Sequence, residues 1–253
     1  MIQTTEITSA KIASDNPIHQ RLKYAYIRAA DFIRGDVLDI GCGEGRGMDL
    51  LMEHAGTFTA VDKNPVVLQN LREKFPRSEF IEANIPPLTM FEDEAFDTVV
   101  TFQVIEHIED DVDFVKEISR VLKPGGKAVI TTPNIKMSLT RNPWHVREYN
   151  KEEMVALVEP FFKKVGLKGV YGDEKVSEYF EKNKRSVEKY KRLDIFNLEH
   201  RLPRNILAIP YDLLNRFNRN KLKETNDELV MSITTDDYHL AAADDLCYDF
   251  FCV

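Results

Sequence analysis

The chain has 253 residues, 43% hydrophobic and 30% charged, with a formal net charge of −8, values that are ordinary for a globular protein. Its three cysteines form neither the even set of a disulfide framework nor a zinc-binding pattern, so we expect a reducing, cytoplasmic environment. The polar N-terminus and the lack of an apolar run near about 18 residues argue against export and against a membrane span. We therefore interpret 1–253 as one domain with an insertion.

The first predicted element is an N-terminal helix over 17–34. Apolar residues recur there at helical spacing, and Gly35 follows as a plausible cap. The apolar positions are Ile18, Leu22, Tyr26, Ala29, Ala30 and Ile33.

A glycine-rich turn follows the first predicted strand, in the run Val37-Leu38-Asp39-Ile40-Gly41-Cys42-Gly43-Glu44-Gly45. Glycine lacks a Cβ and tolerates φ > 0, so alternating glycines after a strand let a ligand lie against the main chain. The dinucleotide fingerprint G-x-G-x-x-G needs its third glycine at position 46, where Arg46 stands. Glycines at every second position, with Asp39 just before them, instead suit a ligand with an ammonium group and no phosphate. S-adenosylmethionine is such a ligand.

The second predicted strand, at 57–62, ends in an acid. Asp62 stands about 20 residues after the glycine loop, where a carboxylate can accept hydrogen bonds from both ribose hydroxyls. Dinucleotide enzymes use the same device, so Asp62 predicts an adenosine ligand without choosing between the two cofactors.

Strands and helices then alternate through 36–171, the predicted cofactor-binding core. Asn64 and Pro65 begin one helix, and Asp110 or Asp111 begins another. Such alternation predicts an α/β fold in which parallel strands are joined by right-handed crossovers and ligands gather at the carboxyl ends of the strands. The helices are expected at 66–75, 112–122 and 152–158, and the later strands at 79–85, 96–102, 127–132 and 164–171.

Residues 173–245 are predicted to form a helical insertion, or lid, before a last strand at 247–253. The segment 181–223 carries twelve Lys or Arg against five Asp or Glu, a balance of +7 in a chain of −8, so the remainder sums to −15. Helices are expected near 174–193 and 203–220, with Pro210 kinking or splitting the second.

An apolar stripe marks the second of these helices. We expect this stripe to pack on the protein's own core, although interfacial helices share the pattern. Its members are Ile206, Ile209, Leu213, Leu214 and Phe217.

Five segments in a fixed order make the chain similar to the class I S-adenosylmethionine-dependent methyltransferases, over roughly residues 30–170. They are the glycine loop 37–45, Asp62, Glu82-Ala83-Asn84-Ile85, the strand-four segment 102–108 and the turn 122–126. The resemblance implies a doubly wound, mostly parallel, seven-stranded sheet whose last strand is antiparallel. It also implies S-adenosylmethionine as the cofactor and S-adenosylhomocysteine as the product.

The same resemblance assigns residues beyond the loop to the cofactor. Asn84 departs from the family, because many relatives carry aspartate there, but its amide oxygen can still accept from the adenine amino group. The predicted cofactor-binding residues are Asp39, Gly41, Cys42, Gly43, Gly45, Asp62, Lys63, Asn84, Ile85 and Gln103.

Two histidines follow strands four and five, at the edge expected to face the ligands. Either His107 or His145 can take the proton of a hydroxyl acceptor near neutral pH, and a purely structural role is open for each. The loop after strand five faces the acceptor in this fold. We therefore assign Glu106, Trp144, Arg147 and Tyr149 to the substrate.

The pair Glu106 and His107, with His145, could also hold a divalent metal. Small-RNA 3′-terminal 2′-O-methyltransferases are similar here, with an E-x-x-E-H motif and a histidine after a T-P-N turn. Ubiquinone-pathway O-methyltransferases share the first motif. This chain has Gln103 in place of the first glutamate, and a neutral amide is a weak metal ligand. We therefore predict a site without metal.

These features predict transfer of a methyl group to a small-molecule acceptor, most readily to oxygen, with no nucleic-acid partner. A nucleic-acid 2′-O-methyltransferase is the alternative that the basic segment favours and the pI of about 5.4 disfavours. An inactive cofactor-binding scaffold or sensor is an alternative from another class. The sequence determines neither the acceptor nor the oligomeric state.

Overall fold

Eight strands among the described residues pair into one sheet. The structure, a computed structural model, describes residues 12–192, 194 and 198–253. The strands are β1 Asp36–Ile40, β2 Thr57–Asp62, β3 Glu79–Glu82, β4 Phe96–Phe102, β5 Leu122–Pro133, β6 Leu167–Gly172, β7 Tyr238–Ala242 and β8 Asp249–Cys252.

The strand order is β3-β2-β1-β4-β5-β8-β6-β7. Strands β3, β2, β1, β4 and β5 are parallel. Strand β8 runs antiparallel between β5 and β6, and β7 is antiparallel to β6 at the edge. The order reverses between β1 and β4, which is where ligands bind in open α/β sheets.

Strands β1 to β5 are parallel as predicted, but the predicted number of seven strands is wrong. In the described part of the chain the sheet is mixed, and the eighth strand, β7, lies inside the segment predicted to be a helical insertion. This edge strand pairs on one side only, and Tyr238 is its one buried residue. It therefore lacks the apolar alternation by which strands are recognised.

Helices cover both faces of the sheet. Their starts follow from local capping, because the Asn64 side chain accepts from two backbone N–H groups of α3, and Asn150 and Glu153 form a capping box on α5. The helices are α1 Asn16–Ala29, α2 Met48–Met52, α3 Pro65–Lys74, α4 Asp111–Val121, α5 Lys151–Val158, α6 Glu174–Lys191, α7 Leu198–Arg201, α8 Arg204–Thr225 and α9 Asp227–Ser232. No helix of the described ranges is both long enough and apolar enough to cross a membrane.

The core has two apolar layers, one on each face of the sheet. Side chains of α1, α2 and α3 form one layer, and those of α4 and α5 form the other. Along β1, Val37 belongs to the first layer and Leu38 and Ile40 to the second. Because side chains alternate along a strand, Asp39 shares the face of Val37 and points into the apolar layer beneath α1.

The insertion is built on α8, which packs against α6 and the N-terminal segment. Asn218 of α8 accepts from Ser186 at 2.6 Å and donates to Asn183 at 2.8 Å. Arg216 and Arg219 form ion pairs with buried Asp15 at 2.8 and 3.0 Å. The helix runs unbroken through position 210, so the proline there does not split it.

The apolar stripe of α8 does not pack on the core, contrary to our expectation. All five of its side chains are more than half exposed. The buried face of α8 contains polar as well as apolar residues, namely Leu207, Ala208, Asp212, Asn218 and Leu222. Polar contacts to α6 and to the loop after β5 therefore decide which face of α8 turns inward.

Candidate active site

A cavity of about 600 Å³ opens at the carboxyl ends of β1 and β4. Its wall includes the glycine loop, residues after β4 and side chains of α1. This volume is within the range of small-molecule sites. Of the predicted site residues, the cavity wall includes Gly41, Cys42, Gly43, Gly45, Gln103, Glu106, His107 and His145.

The glycine loop adopts the left-handed backbone that its sequence predicts. Gly41 has φ +75°, and a Cβ there would lie 2.4 Å from Val104. Gly43 has φ +49°, and a Cβ there would meet no atom within 4 Å. The backbone at Gly43 is thus open for a ligand to approach closely.

Asp39 lies buried beside this loop with its charge unmatched. It is 1% exposed, and neither carboxyl oxygen has a hydrogen-bond partner among the described residues. Burial, and secondarily the charge of Asp62, raises the pKa of Asp39 to about 8. A buried carboxyl without a partner is costly, and an ammonium group would satisfy it. This observation fits the amino acid portion of S-adenosylmethionine.

Five predicted cofactor residues do not line this cavity, and Asp39, buried beneath the glycine loop, is one of them. Asp62 accepts backbone N–H groups from Gly43 and Asn64, both at 2.9 Å, and so ties the glycine loop to the end of β2. Lys63 and the residues after β3, Asn84 and Ile85, lie outside the cavity wall. Their contact with a ribose and an adenine stays a prediction.

Backbone contacts bring the two histidines together. The Glu106 carbonyl accepts from Val146 N–H at 2.7 Å, and His107 Nδ1 lies 2.8 Å from the Trp144 carbonyl oxygen. The turn after β4 therefore holds the loop after β5, and the rings of His107 and His145 meet edge to face with centroids 4.9 Å apart. Burial, and then His145, lowers the pKa of His107 to about 4.

The hydrogen bonds of His145 indicate its tautomer. Asn142 Oδ1 accepts from Trp144 N–H at 3.1 Å, so the Asn142 amide nitrogen is the atom that faces His145 Nε2, at 2.8 Å. Since the amide nitrogen donates, His145 Nε2 carries the lone pair. His145 Nδ1–H then donates to the Glu148 carboxylate at 2.5 Å.

A second cavity of about 210 Å³ adjoins the first, under α6 and α8. Five aromatic side chains are in its wall: Tyr179, Phe180, Tyr211, Tyr238 and Tyr248. The two cavities share several wall residues, including Arg21, Asn142, His145 and Arg219. His145 thus stands at the junction of a cavity beside the glycine loop and a cavity rich in aromatic groups.

Three predicted substrate residues lie outside both cavity walls. Trp144 Nε1 donates to Asp212 of α8 at 3.1 Å. Arg147 and the Tyr149 hydroxyl both bind buried Asp111 at 2.8 Å. These contacts attach the loop after β5 to α8 and α4.

Glu106, His107 and His145 each offer one ligand atom, and these atoms lie within 4.8 Å of one another. Glu106 is buried and accepts from the Thr132 hydroxyl at 3.0 Å, and burial raises the pKa of Glu106 to about 7. His145 Nε2 already accepts from Asn142, so a metal would have to displace that amide. The absence of a metal stays a prediction.

Several residues of the site were missed by sequence reasoning. Glu148 stands three positions after His145, a spacing that could have indicated a carboxylate and imidazole pair. The sequence gave no sign that Asn142 contacts a histidine. The side chains of α1 gave no sign of a site either, because helical spacing predicts that a helix packs on the protein but not where. The residues of α1 in the wall of the larger cavity are Ile18, His19, Arg21, Leu22, Lys23 and Tyr26.

Residues 38–130 match a family model described as a methyltransferase domain. This segment of the chain is therefore similar to methyltransferase domains. A probable S-adenosylmethionine-dependent methyltransferase of Mycolicibacterium smegmatis is 39% identical over 62% of this chain and 63% of its own length. These relationships imply S-adenosylmethionine as the cofactor of the domain.

Two weaker similarities involve a curated protein and a solved structure. A ubiquinone biosynthesis O-methyltransferase of Xanthomonas oryzae pv. oryzae is 29% identical over 47% of this chain and 50% of its own length. The solved structure of an S-adenosylmethionine-dependent methyltransferase from Archaeoglobus fulgidus is 17% identical, with a TM-score of 0.54, and the similarity covers 92% of both chains. That similarity shows the fold alone. The chain spans less than two thirds of the length of the curated relatives named here.

Proposed function

We propose that this chain transfers the methyl group of S-adenosylmethionine to a hydroxyl oxygen of a small-molecule acceptor. The position of His145 carries the proposal, because this side chain lines both cavities and its Nδ1 is bound to Glu148. A base at the junction of two cavities can meet an acceptor on one side while a cofactor is held on the other.

The larger cavity is the proposed cofactor site. When bound, S-adenosylmethionine supplies a methyl group already activated on a sulfonium. The Asp39 carboxyl would hold its ammonium group, and the open backbone at Gly43 would lie against it. Asp62, tied to the loop through Gly43 N–H, would accept from the ribose.

His145 is the proposed general base. Its Nε2 lone pair takes the hydroxyl proton once the acceptor replaces the Asn142 amide, and Glu148 stabilises the imidazolium that results. His107 is the weaker candidate, because burial lowers its pKa to about 4, which is far from neutral pH. We assign His107 to positioning, since its Nδ1–H holds the Trp144 carbonyl.

The smaller cavity is the proposed acceptor site. Tyr179 and Phe180 of α6 and Tyr211 of α8 form one side of it, and Tyr238 and Tyr248 of the sheet region form another. Aromatic walls favour an acceptor with an apolar or aromatic body. A cavity of about 210 Å³ under two helices favours a small molecule over a nucleic-acid chain. The Xanthomonas relative named as an O-methyltransferase supports oxygen as the accepting atom.

Transfer of a trideuteriomethyl group from labelled S-adenosylmethionine into a library of hydroxylated aromatic compounds tests the proposal. We expect one class of compound to gain the label on oxygen, with an equal amount of S-adenosylhomocysteine. His145→Ala should abolish the labelling, whereas His54→Ala, at an exposed histidine outside both cavities, should not. Label on nitrogen or carbon, or labelling by the His145→Ala variant at the wild-type rate, would contradict it.

A further inference from the structure

The outer face of α8 is an apolar surface that nothing in the described structure covers. Five large apolar side chains on it are 52–61% exposed. They follow one another at helical spacing over three turns, so they form a continuous stripe. The stripe consists of Ile206, Ile209, Leu213, Leu214 and Phe217.

The packing of α8 fixes this stripe outward. On the opposite face, Asp212 accepts from Trp144 and Asn218 bonds with Asn183 and Ser186 of α6. Rotating the stripe toward the core would break these buried polar contacts, and such contacts are costly to leave unmade. The apolar groups therefore face the surroundings in the folded protein.

The chain segment that contains the stripe has a positive net charge. The segment 181–223, which includes most of α6 and α8, has a balance of +7, whereas the remainder of the chain sums to −15. Exposed Arg201 precedes α8, and exposed Lys221 lies about one turn beyond Phe217. A segment of this charge attracts an anionic partner even though the whole chain is acidic.

We propose that this face of α8 docks on an anionic lipid surface. Leu, Ile and Phe flanked by Lys and Arg are the pattern of helices that lie in the boundary between headgroups and acyl chains. A second copy of the chain fits less well, because a two-fold contact through this face would bring two positive segments together. RNA also fits less well, because Ile and Leu offer it neither hydrogen bonds nor stacking surfaces.

Docking would place the lipid on the outer side of α8, one helix away from the smaller cavity. Tyr211, Asn215 and Arg219 of the same helix line that cavity, on the side opposite the stripe. If the cavity takes the acceptor, the acceptor is an amphiphile that enters from the lipid. This consequence rests on the proposed function, whereas the docking itself does not.

Cosedimentation with phosphatidylcholine vesicles, with and without phosphatidylglycerol, tests the docking. We expect the wild-type chain to bind the anionic vesicles, and raising the salt to about 1 M to weaken the binding, because the charges are then screened. The double variant Ile209→Asp with Phe217→Asp should bind at least roughly tenfold more weakly. The matched control Val66→Asp with Leu246→Asp adds the same charge at two other exposed apolar positions, 67% and 68% exposed, and should keep most of the binding.

A second pair of substitutions, Ile206→Ser with Leu213→Ser, removes apolar groups without adding charge and should also weaken binding. Thermal stabilisation by S-adenosylhomocysteine should be equal in all variants, which shows that they fold. Failure of the wild-type chain to bind anionic vesicles, or equal loss in the control, would overturn the docking. So would a dimer that the stripe variants lose, or salt-sensitive binding to single-stranded RNA instead of vesicles. Failure of S-adenosylhomocysteine to bind the wild-type chain would count against the proposed function only.

Discussion

Replacing Asp39 with asparagine tests whether this buried carboxyl holds the cofactor ammonium. Its pKa is raised from 3.8 to about 8, mainly by burial. Because the pKa of Asp39 is higher in the folded than in the unfolded chain, its protonated carboxyl contributes fully to the free energy of unfolding below about pH 4. This contribution is lost as the pH rises through about 8. Between pH 3.8 and pH 7 the free energy of unfolding therefore falls by about 4 kcal/mol, at about 1.4 kcal/mol per pH unit.

Asparagine has the same shape as aspartate and does not ionise. The free energy of unfolding of Asp39→Asn therefore does not fall between pH 3.8 and pH 7 for this reason. Its amide is itself unpaired in the buried position, which costs about 1–3 kcal/mol. We expect the ligand-free variant to be about 1–3 kcal/mol more stable than the wild-type chain at pH 7, and to lose that advantage near pH 4. Urea unfolding at the two pH values measures both quantities.

The same substitution should weaken cofactor binding. Loss of a charge-assisted hydrogen bond to the ammonium group costs about 1.5–3 kcal/mol, or roughly 10- to 150-fold in Kd for S-adenosylhomocysteine by calorimetry. Asp36→Asn is the matched control, because Asp36 is on the same strand but pairs with Lys123 at the surface. That variant should keep its affinity and gain no stability. An Asp39→Asn variant that is no more stable, or that binds with wild-type affinity, would refute the reasoning.

Three further predictions concern the rest of the site. Asp62→Ala should weaken S-adenosylhomocysteine binding by about 1.5–3 kcal/mol in calorimetry, because the ribose and Gly43 N–H both lose a carboxylate; unchanged affinity would exclude that role. Glu148→Gln should lower kcat roughly 10- to 150-fold with cofactor affinity unchanged, because the imidazolium of His145 loses its partner; a rate within about twofold of wild type would remove Glu148 from the mechanism. Turnover should survive EDTA, and a loss that a divalent ion restores would reassign Glu106, His107 and His145 as metal ligands.

The elements that the sequence predicted well are those with local causes. The glycine spacing at 41–45 predicted a left-handed loop, and the structure has it. Asn64 predicted a helix start because its side chain accepts backbone N–H groups within one turn. The two histidines were expected close together because the carboxyl ends of parallel strands meet at one edge, and their ring centroids lie 4.9 Å apart.

The features that the sequence did not predict depend on partners distant in the chain. Strand β7 is held by backbone pairing with β6, and its exposed side chains carry no alternation. The stripe of α8 was expected inside because hydrophobic spacing identifies an apolar face but not its partner. That face turns outward because Asp212 and Asn218, on the other side, find hydrogen bonds with residues far away in sequence. Glu148 likewise meets His145 only in the folded loop after β5.

The binding of S-adenosylhomocysteine compared with NAD tests the central claim most directly. The claim is that the glycine loop and Asp39 form a site for a cofactor with an ammonium group and no pyrophosphate. In thermal unfolding, S-adenosylhomocysteine at about 100 times its Kd should stabilise the protein by about 2.7 kcal/mol, and NAD at the same concentration should have no effect. Stabilisation by NAD, with none by S-adenosylhomocysteine or S-adenosylmethionine, would contradict the account.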